Sequence, residues 1–79
     1  MTIRDLIKRE NNSTLGFALN HQLENIKEWK AKAENWKYAK EFHMNAKGHL
    51  EGMVHVLFLT HQITDEEYLD ITTDIIENY

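Results

Sequence analysis

Apolar residues recur every seven positions between Leu15 and His61, and no proline interrupts them. One register runs Leu15, Gln22, Trp29, Trp36, His43, Leu50 and Leu57, and its companion runs Leu19, Ile26, Ala33, Lys40, Lys47, Val54 and His61. An ideal helix drifts by roughly 20° per heptad against such a repeat, so a seam kept this long favours left-handed pairing with another helix. With only three glycines, little else in the chain resists helix. The pattern predicts an all-α fold with a short N-terminal helix over residues 2–10 and a long central helix over 14–60. A third helix over 65–78 folds back on the second as a hairpin.

A chain of 79 residues makes one small domain, and a core of that size rarely leaves more than about 3–5 kcal/mol of net stability. The absence of cysteine removes disulfide staples, thiolate nucleophiles and Cys-type zinc sites together. Oligomerisation is the remaining common remedy. The expected homo-oligomer interface is the seam: Leu15, Leu19, Ile26, Trp29 and Ala33, continued by Trp36, Leu50, Val54 and Leu57. The N-terminus is charged by Arg4 and lacks the apolar core of a secretory signal. The most apolar run, Met53 to Leu59, is far shorter than the roughly 20 residues that span a bilayer. A cytoplasmic protein without a membrane partner is expected.

The net charge of −4 hides an asymmetry. Residues 1–47 hold all nine Lys and Arg against six acids, whereas residues 48–79 hold seven acids and no Lys or Arg. Such a separation steers partners or draws antiparallel copies together, unless both ends are ordinary solvated helix faces.

Helix boundaries carry their own signals. Thr2 caps the first helix, and Asn11, Asn12 and Ser13 favour a linker because their short polar side chains compete for backbone hydrogen bonds. Ser13 or Thr14 caps the central helix, where Gly16 reads as a tolerable internal glycine costing about 1 kcal/mol. Glu24 with Lys27, Glu28 with Lys32, Glu34 with Lys37, and Lys37 with Glu41 have the spacing of side-by-side pairs. Asn45, Gly48 and Gly52 make the weakest stretch. The seam keeps its phase across Gly48, which favours a continuous helix whose glycines admit a close neighbour over a bend. Thr64 followed by Glu67 is a capping box, with Ile63 placed to staple onto Tyr68.

The run Ile63-Thr64-Asp65-Glu66-Glu67-Tyr68, set between two apolar helices and preceded by Gly52-Met53, resembles the helical hairpins of short C-terminal (SHOCT-like) domains. It also resembles the tails of small phage-encoded proteins. The resemblance covers about the last thirty residues. It implies an oligomerisation or interaction element and brings no catalytic residues. His61 stands where a turn glycine is common, and the final helix lacks the usual basic residues.

Three groups of residues invite a chemical reading. His43, His49, His55 and His61 are six apart, so neighbours turn by about −120° and point to different faces, which makes a poor chelate; neither a metal nor another cofactor is expected. Trp29 and Trp36 share a face with Ala33 between them. They read either as core or, with Lys30, Lys37 and Lys40 nearby, as a stacking platform. Lys40, His43 and Lys47 break the seam with charge. They either snorkel to solvent, specify a polar layer, or form with Trp36 and Phe42 an anion pocket between helices.

Without a nucleophile set or a glycine-rich phosphate loop, an enzyme is not expected. The favoured function is a phage-encoded, homo-oligomeric protein that binds and inhibits or redirects a host protein such as a defence nuclease. Its acidic helix would face the partner through Asp65, Glu66, Asp70, Asp74 and Glu77. The alternative is a module that sequesters a nucleotide-like phosphorylated signal at Trp36, Lys40, Phe42, His43 and Lys47. Direct nucleic-acid binding is disfavoured by the overall acidity.

Overall fold

The computed structural model describes residues 1–79 and is all-α, with four helices: α1 (Ile3–Arg9), α2 (Thr14–Lys32), α3 (Ala39–Leu59) and α4 (Asp65–Asn78). Three of them begin where a cap was expected. The Thr2 hydroxyl accepts the Asp5 N–H while the Asp5 carboxylate accepts the Thr2 N–H, and Thr64 and Glu67 make the same reciprocal pair at α4. Ser13 caps α2 by accepting the Gly16 N–H. Ile63, just ahead of the Thr64 cap, is buried, and Tyr68 packs against the same core.

The stretch expected as one helix over 14–60 is two helices, and the break falls at residues 33–38 rather than between Asn45 and Gly52. Burial decides this. A single unbroken helix leaves its apolar seam in water unless another copy covers it. Turning back lets Leu19, Leu23 and Ile26 of α2 bury completely, as do Leu50 and Val54 of α3. At about 1.5–3 kcal/mol per buried aliphatic side chain, that gain outweighs a few interrupted helical hydrogen bonds worth about 1 kcal/mol each. Several of those bonds survive in the turn, where Trp36 N–H reaches Lys32 O and Ala39 N–H reaches Trp36 O.

The position of the break also balances the two arms, at 19 and 21 residues. A break near Gly48 would leave a long helix with a short partner. The arms run antiparallel, since Trp29 meets Phe42 beside the turn and Gln22 Nε2 donates to Ala46 O farther along. Leu19, Ile26, Leu50, Val54 and Leu57, expected to face a second copy, are therefore interior residues of one chain. Leu15, Trp29 and Ala33 are half-buried and Trp36 is exposed.

Glycine roles are the reverse of those expected. A Cβ on Gly48 or Gly52 would meet nothing within 4 Å, so neither admits a close neighbour. A Cβ on Gly16 would stand 2.2 Å from Glu10 O, so this glycine is what lets the α1–α2 linker pass over the start of α2. Asn12 in that linker and His61 after α3 take positive φ, 68° and 62°. At His61 the geometry closes α3: its N–H bonds to Phe58 O while the Gln62 N–H reaches Leu57 O.

α4 runs back along α3, with Tyr68 stacked on Phe58 at 4.6 Å near the turn. α1, too short to persist alone, docks on α2 and α4 and contributes Ile3 and Leu6 to a core shared by all four helices. No helix is long and apolar enough to cross a membrane.

Candidate functional site

The polar interruption of the seam has a structural partner. His43 Nε2 donates to the main-chain oxygen of Tyr79, and Lys47 Nζ donates to Ile76 O at 3.0 Å. α4 has no basic residue in its own last turn, so α3 supplies hydrogen-bond donors to the last α4 carbonyls, and the Lys47 ammonium complements the negative end of the α4 dipole. Donation from Nε2 requires the hydrogen on that nitrogen of His43. The set Trp36, Lys40, Phe42, His43 and Lys47 consequently does not converge on one pocket. His43 and Lys47 turn to α4, Lys40 lies in solvent, and Trp36 and Phe42 belong to a ring cluster at the α2–α3 turn.

The acidic helix is likewise divided. Asp74 accepts the Ile3 N–H at 3.0 Å and the Asn78 amide at 2.7 Å, and Asp70 lies 3.2 Å from the Met1 amino group. Both therefore lie at the positive start of α1, where Asp74 is half-buried and Asp70 stays exposed. Glu67 pairs with Arg9 at 3.2 Å, and Arg9 also donates to Gln62 O. Accepting the Thr64 N–H holds the Glu67 carboxyl below its ordinary pKa against the opposing effect of desolvation, and Arg9 adds to the lowering. Asp5 is lowered for the same reason, by the Thr2 N–H it accepts.

What α4 leaves outward is Asp65, Glu66 and Glu77, none of them ion-paired, beside Leu69 and Ile76, which are 65% and 57% exposed. Leu69 and Ile76 are seven residues apart, within about 20° of each other around the helix. Ile76 also borders a concavity shared with Met44, Lys47, Gly48 and Glu51 of α3.

The ring cluster is the second surface feature. Trp29 stacks on Phe42 at 4.8 Å, Trp36 lies 6.2 Å from Phe42, and Tyr38 meets Trp36 edge-on at 5.9 Å. Lys32 sits over Trp29 and Lys37 over Tyr38. The pairs expected between Glu34 and Lys37 and between Lys37 and Glu41 are not formed, because the break places Glu34 and Lys37 in the turn. Tyr38 was not singled out from the sequence. The signal was there in the density of rings, four of them between Trp29 and Phe42. His55 joins a separate stack with Phe58 and Tyr68.

No protein-family model matches this chain, and neither a curated protein nor a solved structure is found to be similar to it.

Proposed function

We propose that this chain is a small non-enzymatic interaction protein that presents the outer face of α4 to a basic protein surface. The observation that carries the reading is the exposure of Leu69 and Ile76 among unpaired Asp65, Glu66 and Glu77, on a helix whose Ile71 and Ile75 are fully buried. Apolar side chains kept in water beside carboxylates held in no ion pair suit a docking face, with a desolvated centre and a polar rim. The fitting partner is a protein built to hold nucleic acid. Such a surface is basic, so carboxylates take the place of phosphates, while Leu69 and Ile76 add contacts that phosphates cannot make.

In this reading the chain is phage-encoded and acts in the host cytoplasm, where it inhibits a host protein such as a defence nuclease. Self-association is part of the proposal. It would use exposed apolar residues such as Val56 and Leu59, since Leu19, Ile26, Leu50, Val54 and Leu57 of the seam are already inside the chain.

The test is inhibition of DNA cleavage by a panel of host nucleases. Wild-type protein should inhibit at least one, with relief by added DNA and by salt. Glu66→Lys and Leu69→Ser should lose the effect with a fall in melting temperature of no more than a few degrees, since both residues are exposed and Glu66 gives up only its place at the positive end of α4. Inhibition that survives both substitutions, or its absence across the panel, would remove this reading.

A further inference from the structure

The end of the molecule where α2 turns into α3 carries a surface that the α4 reading leaves unused. We propose that this tip binds an unpaired nucleobase joined to phosphate, the chemistry shared by a free nucleotide and by a single strand. Trp29, Phe42 and Trp36 lie 4.8 to 6.4 Å apart with their planes inclined by only 25 to 38°. Their flat faces therefore run in roughly one direction. Trp36, Tyr38 and Phe42 remain 46%, 53% and 45% exposed, so a further ring can reach them from solvent. Stacking on aromatic side chains tolerates any base, because every base offers a π face.

Lysines in and beside the turn supply the complementary charge. Lys30 and Lys40 are exposed and carry no ion pair, and Lys37 stands 5.1 Å over the Tyr38 ring. Lys32 is already tied to Glu28 at 3.1 Å. Between Glu28 and Phe42 there are four lysines and three glutamates, so the local excess is small. That limits the ligand to a few phosphates. A duplex fits poorly on both counts, since it needs more neutralising charge and keeps its bases covered.

Most of the acidic half of the chain does not oppose this, although α4 returns beside His43 and brings Glu77 nearer to the tip. α3 carries the chain about 30 Å from the tip to the start of α4, in a molecule 39 Å long. Asp65 and Glu66 thus lie nearly four Debye lengths away at physiological salt, where that length is about 8 Å. An acidic protein segment is a poorer occupant. The main concavities are at the α3–α4 turn, beside the α1–α2 linker, and between α3 and the end of α4. The tip offers a flat stack where an anchoring side chain would need a socket.

Trp29 and Trp36 are the only tryptophans, so fluorescence excited where tryptophan alone absorbs reports on the tip. The wild-type protein is titrated at low ionic strength with a short oligo-dT, ATP, an abasic strand of equal phosphate count, and vesicles containing phosphatidylglycerol. Saturable quenching by oligo-dT or by ATP is expected, and whichever binds tighter identifies the source. The abasic strand should need roughly five- to a hundredfold higher concentration, the loss of one stacked base. Lys40→Gln should weaken oligo-dT binding several-fold and flatten its salt dependence. Trp36→Leu, read through Trp29, should abolish it.

Absence of saturable quenching by both base-bearing ligands overturns the proposal. So does an equal response to the abasic strand, a response to vesicles alone, or binding indifferent to Lys40→Gln. If Trp36→Leu lowers the melting temperature, the Lys40→Gln titration decides, since Lys40 is exposed and unpaired.

Discussion

The two turns that bound α3 are built from different physics. The turn into α4 is local hydrogen-bond chemistry. His61 and Gln62 N–H groups close α3 and Thr64 and Glu67 open α4, all within five residues, and the Phe58–Tyr68 stack and Arg9 reinforce a turn that these bonds already draw. The turn between α2 and α3 has no side-chain cap, since Tyr38 occupies the cap position in a helical conformation and makes no capping bond. Rings hold it instead, above all Trp29 on Phe42, thirteen residues apart. A turn can thus be fixed by saturating the orphan groups of its helix ends or by packing across it. Only the first kind leaves a mark in a short window of sequence.

The comparison is most exposed to a substitution at Trp29. If ring packing fixes the α2–α3 turn, Trp29→Ala should destabilise by about 2–4 kcal/mol, somewhat below the 3–5 typical of a wholly buried tryptophan because Trp29 is half-buried. Against a net stability of about 3–5 kcal/mol for a domain this small, that leaves the variant close to unfolding. Trp36→Ala, on the exposed side of the cluster, should cost less than about 1 kcal/mol. Urea denaturation of the two variants distinguishes them. Equal losses would mean that the rings do not divide into a structural and a surface pair.

The capped turn should respond on a smaller scale. Thr64→Ala removes the hydroxyl that accepts the Glu67 N–H and should lower stability by about 0.5–2 kcal/mol. An unchanged denaturation midpoint would place the hold on α4 in tertiary packing, as at the other turn. His61→Gly tests the same turn in the opposite direction. The left-handed backbone at His61 carries a penalty of roughly 1–2 kcal/mol for a residue with a Cβ. Glycine removes that penalty but has more freedom to lose on folding, roughly 0.5–1 kcal/mol. A net gain of about 0.5–1 kcal/mol is expected, read as a higher melting temperature.

This difference also explains what could be read from the sequence. The all-α class, the caps at Thr2, Ser13 and Thr64, and the bounds of α4 follow from local rules. The break at residues 33–38 does not, because its causes are the burial of Leu19, Leu23 and Ile26 by a distant helix and the pairing of Trp29 with Phe42. A seven-residue beat looks alike whether its partner is another copy or the same chain returning. The surfaces divide the same way. The acidity of α4 was legible, but the turning of Asp70 and Asp74 toward α1 depends on where α1 docks. His43 and Lys47 read as a polar interruption of the seam, and their partners at the end of α4 depend on where that helix packs.

The smallest effect separates the two turns by acid. Glu67 and Asp5 each accept the N–H of their own cap residue, which favours the carboxylate and lowers both pKa values in the folded state. The unfolded chain therefore takes up these protons at a higher pH than the folded one does. The stabilisation is fully present above the ordinary carboxylate range near pH ~4 and is lost as pH falls through the lowered values. The indole and phenyl rings of Trp29 and Phe42 do not titrate in that range, so acid acts on the starts of α1 and α4 and leaves that stack alone. Glu67→Gln keeps a side-chain acceptor for the Thr64 N–H, as glutamine can in a capping box, but has no proton to take up. Urea midpoints followed from neutral pH downward should fall less steeply for Glu67→Gln than for the wild type, and the two should draw together in acid. Parallel curves would show that Glu67 adds no acid dependence. The start of α4 would then be held by Ile63, Tyr68 and their packing, which is the physics of the other turn.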